Sequence, residues 1–350
     1  MSLYESRLQA DRDEIELQVE RVAENVRQGL DNAVRGLLTG DKPLCYQVVL
    51  DDKIINRSTR ALDALCHSFV AKHFPAAGHL RFVSSVLRLD VELERIGDYA
   101  VNIALEAVQL SAEPPEDIVE DIRVLGSMAS GMFDRAMASW QDRNAEQARA
   151  LMPNAYEIED MFSRVVKNLL QEAKTRPMKD LFGLFDIAKN LERIGGQSKN
   201  ICEETVFAVT GQTKEPKVYR VLFLDASNSR WSRLAETFAH KVFPNSGSYS
   251  SVGWAPAAQL DSDMIELASS AGLDIGEAAP RHLDDEREQL SKYHVIISLE
   301  PGALEELGSI PFDTIYLDWS TEGANFDEQF RQLSASIREL MESLRGAGAS

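Results

Sequence analysis

Cysteine is scarce: three in 350 residues, Cys45, Cys66 and Cys202, and none of them in a Cys-x-x-Cys pair. That excludes a disulfide framework and a zinc ribbon and leaves buried free thiols as the expectation. The segment after residue 202 has no cysteine, and no Asp-Pro dipeptide occurs anywhere. No run of about twenty apolar residues is present, and no basic start leads into an apolar stretch, so the chain is expected to be cytoplasmic without membrane insertion. Positive charge is also short: 37 Lys and Arg stand against 56 Asp and Glu, a net of −19. Nucleic acid and anionic membrane would be repelled, which leaves cations and basic protein patches as partners.

What the chain does have is an internal repeat. LDVELERIGDYAVNI at 89–103 returns as IAKNLERIGGQSKNI at 187–201, with Glu94 and Glu192 98 residues apart. That period is too long for a solenoid unit and fits a small helical bundle duplicated in one chain. In the first copy Asp90, Glu94, Asp98 and Asn102 recur every fourth residue, a single stripe on a helix with about 40° of drift per step. Like charges at that spacing repel by a few tenths of a kcal/mol each. Leu89, Leu93, Ile96, Tyr99, Ala100 and Ile103 fall on the opposite, core-facing side. Leu87, Val91 and Val101 interrupt the acidic arc. Spacing alone leaves both a solvated charged face and a metal or partner site open.

Helical periodicity runs from residue 4 to about 210. Gly40 to Pro43, Pro75 to Gly78 and Ser111 to Pro115 end the first three helices. A fourth runs to about Trp140, a fifth starts near Asn144, and Arg176-Pro177 opens a sixth. Pro153 lies inside the fifth and should bend or divide it. A chain of 350 residues exceeds one typical core, so two or three domains are expected.

The segments LERIGDYAVNI and LERIGGQSKNI resemble the two signatures of the PhoU family, duplicated helical regulators of bacterial phosphate uptake. The resemblance covers residues 1 to about 211 and implies two three-helix bundles, at 1–112 and 113–211. It also implies a bound metal ion (Fe, Mn, Zn or Mg), with Glu94, Asp98 and Asn102 as ligand candidates and Asp90, Asp52 and Glu192 beside them. As partners it implies a phosphate transporter and a sensor histidine kinase, with the protein acting as a homodimer. The copies differ: Gly196 stands opposite Asp98, Ala188 opposite Asp90, Lys189 opposite Val91 and Lys199 opposite Val101, while Tyr156 matches Asp52. A multivalent cation should therefore prefer the first copy. His79-Leu80-Arg81 replaces the family's usual Asp-Leu-Arg.

Beyond Gln212 the pattern changes. Strand-like apolar runs at 218–224, 248–252, 294–299 and 313–317 alternate with helical stretches at 232–242, 256–271, 301–307 and 325–344. That alternation predicts a three-layer α/β domain over 218–350 with a small parallel sheet. The expected fold is thus tandem three-helix bundles followed by an α/β domain. LFLDASNSRWSRLAE resembles the phosphate-binding loop of low-molecular-weight phosphotyrosine phosphatases and related arsenate reductases, with Asn228, Ser232, Ala235 and Glu236 in place. The nucleophilic Cys is replaced by Asp225 and the phosphate-clamping Arg by Trp231, which would fill the vacated pocket or stand exposed as a partner anchor. No enzymatic activity is expected, because the thiolate, the guanidinium and the Asp-Pro acid are all missing. The alternative is a phosphatase or arsenate reductase with a regulatory half.

Overall fold

Long helices form in the first part of the chain because apolar side chains recur at helical spacing and breakers are confined to the joints. In the computed structural model, which describes residues 3–172, 176–213, 217–276, 279–312, 314–320, 325–346 and 349–350, these helices make one unit, Met1–Lys214, and Glu215–Ser350 makes a second. Helix α1 spans Leu3–Thr39, and α2, Lys42–His73, starts where the Asp41 side chain accepts the Leu44 amide at 3.0 Å. Helix α3 covers Ala77–Gln109 and carries the first signature segment.

Pro114 and Pro115 precede α4, Glu116–Gln141. Asn144 caps the short α5, Ala145–Leu151, and Pro153 separates it from α6, Asn154–Gln171. The expected fifth helix is thus divided rather than bent, and the second copy holds four helices instead of three. Pro177 heads α7, Met178–Thr210, which carries the second signature and stops at Gly211 in the left-handed region.

One continuous apolar core runs through both copies, from Leu8 to Val206. The signature helices α3 and α7 pack side by side, tied by Arg88 to Glu204 at 2.8 Å and by Asn200 Nδ2 to Glu92 at 3.2 Å. The repeated glycine has a packing reason. A Cβ on Gly97 would lie 3.3 Å from Ile55 Cγ2, and one on Gly195 would lie 2.8 Å from Ile158 Cδ1. In each copy the signature helix is drawn against an isoleucine of its neighbour.

In the second unit, strands β1 (Tyr219–Asp225), β2 (Gly247–Gly253), β3 (Val295–Ser298) and β4 (Ile315–Asp318) form an all-parallel sheet in the order β2-β1-β3-β4. Four helices, α8 (Trp231–Val242), α9 (Ser262–Ser270), α10 (Ala303–Leu307) and α11 (Phe326–Arg345), accompany it. Two apolar clusters cover β1 and β3, one containing Val221, Phe223 and Ile297 and the other Leu222, Leu224 and Ile296, as a sheet covered on both faces requires.

The expected strand 313–317 is found as β4, although Asp313 lies outside the described residues. The expected helix 256–271 begins only at Ser262. Residues 255–261 instead run beside the turn after β1, where Ala255 N donates to Ala226 O at 2.8 Å and Ala257 N to Ser227 O at 2.9 Å. Asp261 then caps α9 by accepting the Met264 amide at 3.0 Å.

Candidate functional site

In an open parallel sheet, ligands bind beyond the strand C-termini at the point where strand order reverses. Here that point lies between β1 and β3, and the turn 226–230 from β1 to α8 sits on it. The turn is held by the chain's own acids. Asp225, fully buried, accepts the Asn228 amide at 2.5 Å and the Ser232 amide at 2.8 Å. Glu300, just past β3, accepts the Ala226 amide at 3.0 Å. Burial pushes the Asp225 carboxyl above the usual carboxylate range; the Ser232 and Asn228 donors pull it back, and the negative charge of Glu300 adds to the rise.

Asn228 has φ 48 and is buried. Its Nδ2 donates to Ser232 Oγ at 3.0 Å and Ser251 Oγ at 2.9 Å, and its Oδ1 accepts the Arg281 amide at 2.8 Å. Ser251 Oγ donates to Glu236 at 2.6 Å, and the same carboxylate accepts from Arg233 at 2.9 Å. The turn therefore rests on a buried polar network that joins Asn228, Ser232, Ser251, Glu236 and Arg233. Gly253 allows it to sit this low, since a Cβ there would lie 2.6 Å from Ala226 O and 2.7 Å from Asn228 N.

Trp231 does not fill the turn. Half-buried, it stacks on Phe326 with ring centroids 5.4 Å apart. Arg230 is directed to Asp261 at 3.4 Å. Of the four loop residues expected from sequence, Asp225, Asn228 and Ser232 share the site and Trp231 leaves it. Glu300, Arg281 and Ser251 were missed; only Glu300 carried a signal, an acid directly after an apolar run.

The residues expected to bind metal are arranged differently. Glu94, Asp98 and Asn102 are exposed on α3, while Asp90 is buried with Oδ1 lacking a hydrogen-bond partner. Burial raises the Asp90 carboxyl to about 7, with Glu94 and Asp63 contributing. Asp98 is raised by burial and by Asp52 and Glu94, so these acids feel one another. Asp52, however, accepts Asn56 Nδ2 at 2.5 Å on its own helix.

In the second copy Glu192 is paired with Lys189 at 2.9 Å, and Lys199 lies over the Tyr156 ring at 4.9 Å. Among the described residues no three His, Cys, Asp or Glu side chains are gathered so as to hold a metal ion. Of the expected ligands, Asp90 is turned inward and Asp52 is engaged on its own helix, while Glu94, Asp98 and Asn102 stay exposed along α3; in the second copy lysine ammonium groups stand on the acidic face.

The PhoU domain model matches residues 19–107 and 122–205, the two copies of the repeat. A phosphate-specific transport system accessory protein PhoU homolog of Pseudomonas aeruginosa is 31% identical over 194 residues, covering 53% of this chain and 78% of the relative. The crystal structure of PhoU from Pseudomonas aeruginosa superposes on 58% of this chain and 99% of its own with a TM-score of 0.56 at 25% identity. An arsenate reductase in the phosphate binding state aligns with 38% of this chain and 100% of its own, at 24% identity and a TM-score of 0.30. That score carries no weight beside the second unit's own strand order and loop geometry. The chain belongs to the PhoU family.

Proposed function

We propose that the protein regulates phosphate uptake and phosphate-responsive signalling, and that its α/β unit is a binding module without turnover. Family membership supports the first half: the Pseudomonas aeruginosa relative is a transport system accessory protein. In this reading the helical unit contacts a phosphate transporter and a sensor histidine kinase, and the protein acts as a homodimer.

The second half rests on one observation, the acceptance of the Ala226, Asn228 and Ser232 amides by Glu300 and Asp225. Backbone amides at a helix start are what hold an oxyanion in such a turn. With two carboxylates already on them, an incoming phosphate or arsenate meets negative charge in place of donors. At about 4 Å and partial burial that repulsion is on the order of several kcal/mol. The reaction also needs a nucleophile with a good leaving ability, and no thiol stands in this unit.

Two assays test the reading separately. The full chain should hydrolyse no p-nitrophenyl phosphate and reduce no arsenate above blank; turnover in either assay overturns the non-catalytic half. In a bacterial strain whose own phosphate-uptake regulator is deleted, the full chain should restore repression of uptake in phosphate-rich medium, and failure of the folded, expressed protein to do so overturns the regulatory half.

A further inference from the structure

The helical unit contains a cavity of about 500 Å³ that neither the acidic stripe nor the signature segments account for. Four helices build it: α1 supplies Arg12 and Glu16, the start of α3 supplies His79, Arg81 and Phe82, the end of α4 and the turn after it supply Trp140 and Arg143, and α7 closes it with Thr205 and Ala208. Its floor is aromatic. Phe82 and Trp140 are buried and stack with an interplanar angle of 22°, and the Arg12 guanidinium lies 4.5 Å over the Phe82 ring.

Its charge runs against that of the chain. In a protein of net charge −19, three arginines converge here against two glutamates, one of which, Glu20, is exposed at the rim. Glu16 is held by Arg12 at 3.3 Å and by Arg143. Arg81 has no ion pair or hydrogen bond among the described residues, and its shielded Nε and the shielded Nδ1 of His79 are both without a partner. No side chain caps the N-terminus of α3, which opens on the same space.

The backbone is distorted there as well. Among the described residues four non-glycines have positive φ, and two of them, Ala77 at 46° and Arg143 at 51°, line this cavity. Such residues are strained and persist where the surrounding structure holds them, often at ligand sites.

An unpaired guanidinium and an uncapped helix start select an anion. The volume and the aromatic floor exclude a bare oxyanion, which would leave the apolar half unfilled; a flat ring bearing a phosphate uses both halves. We propose that this cavity binds a mononucleotide, with its base in the apolar half that Phe82 and Trp140 line and its phosphates at Arg81 and the start of α3.

Isothermal titration of the full chain with AMP, ADP and GDP tests this, with inorganic phosphate and decanoate as the two half-ligands. At least one nucleotide should bind saturably with a dissociation constant below about 100 µM. Arg81→Ala removes a partnerless charge, and Ala208→Trp fills the cavity with the charges intact. Each should weaken binding by at least about tenfold while the far-UV circular dichroism is unchanged. No saturable binding of any nucleotide at millimolar concentration overturns the proposal. So does binding that both folded variants leave intact, and so does phosphate or decanoate binding as tightly as the nucleotides.

Discussion

Replacing Asp225 with Ala removes the acceptor that organises the turn after β1. Two buried amides, those of Asn228 and Ser232, lose partners at 2.5 and 2.8 Å. An unsatisfied buried donor costs about 1–3 kcal/mol, so the gross loss is about 2–6 kcal/mol. Against it stands the relief of burying an ionisable group, visible in the upward displacement of the Asp225 carboxyl. The gross figure is therefore an upper bound, and the expected net destabilisation of the second unit lies below it and above about 1 kcal/mol. Asp225→Asn retains one acceptor oxygen and should lose less.

Urea unfolding followed by tryptophan fluorescence resolves this, since Trp231, Trp254 and Trp319 report on the second unit and Trp140 on the first. A second arm reads the freed amides directly. In the Asp225→Ala/Glu300→Gln variant, phosphate should raise the melting temperature of the second unit, as a ligand that binds only the folded state must. It should leave the wild type unmoved. An Asp225→Ala protein within about 0.5 kcal/mol of wild type would refute the reasoning, because substitutions that touch nothing important fall in that range. Phosphate stabilising wild type and double variant equally would refute it too.

Asp90 gives a pH-dependent outcome of defined sign. Its carboxyl titrates near 3.8 when unfolded and at about 7 in the fold, so between those values the native state holds a proton that the unfolded state has lost. Stability therefore falls as pH rises from about 4 to about 7, and Asp90→Asn should gain up to about 3 kcal/mol over wild type above pH 7 with no gain below pH 4; urea midpoints at pH 4 and pH 8 check it. Gly195→Ala should destabilise the helical unit by about 1–3 kcal/mol, because its Cβ would lie 2.8 Å from Ile158 Cδ1 in a closed core. Thermal melting followed by helical circular dichroism measures that loss, and an unchanged melt would show that α6 and α7 separate freely.

The repeat, the helices and the parallel sheet are legible in the chain because each rests on short-range pattern: apolar residues at helical spacing, Gly and Pro at joints, β-branched runs between helices. The division at Pro153 follows from the same signals, since a proline inside a helical pattern breaks the hydrogen-bond ladder there. What sequence does not carry is which side chains meet across elements. Asp90 belongs to the acidic stripe by spacing, yet it lies four residues from Val86 and three from Leu93, both fully buried, and so goes inward with them. The glycine of LERIG is conspicuous, but its reason is an isoleucine on another helix. Glu300 and Arg281 reach the turn only because β3 pairs with β1 and the segment before residue 282 runs beside Gly253.

The second signature helix and the turn after β1 share a physical character. On the second signature helix, Lys189 holds Glu192 and Lys199 covers Tyr156, so fixed ammonium groups stand where a cation would be drawn. At the end of β1, Asp225 and Glu300 stand where an oxyanion would be drawn. A tethered counter-ion forms its contact without the translational entropy that a free ion must lose, so it holds the site at every ligand concentration. Groups paired in this way contribute to the order of the fold. The cavity beneath the α3 start has the opposite character, because among the described residues Arg81 has no tethered partner and the shielded nitrogens beside it are unsatisfied. A polar group left in that state is one whose free energy falls when a ligand arrives, and responsiveness to a small molecule requires such a difference between the bound and free states.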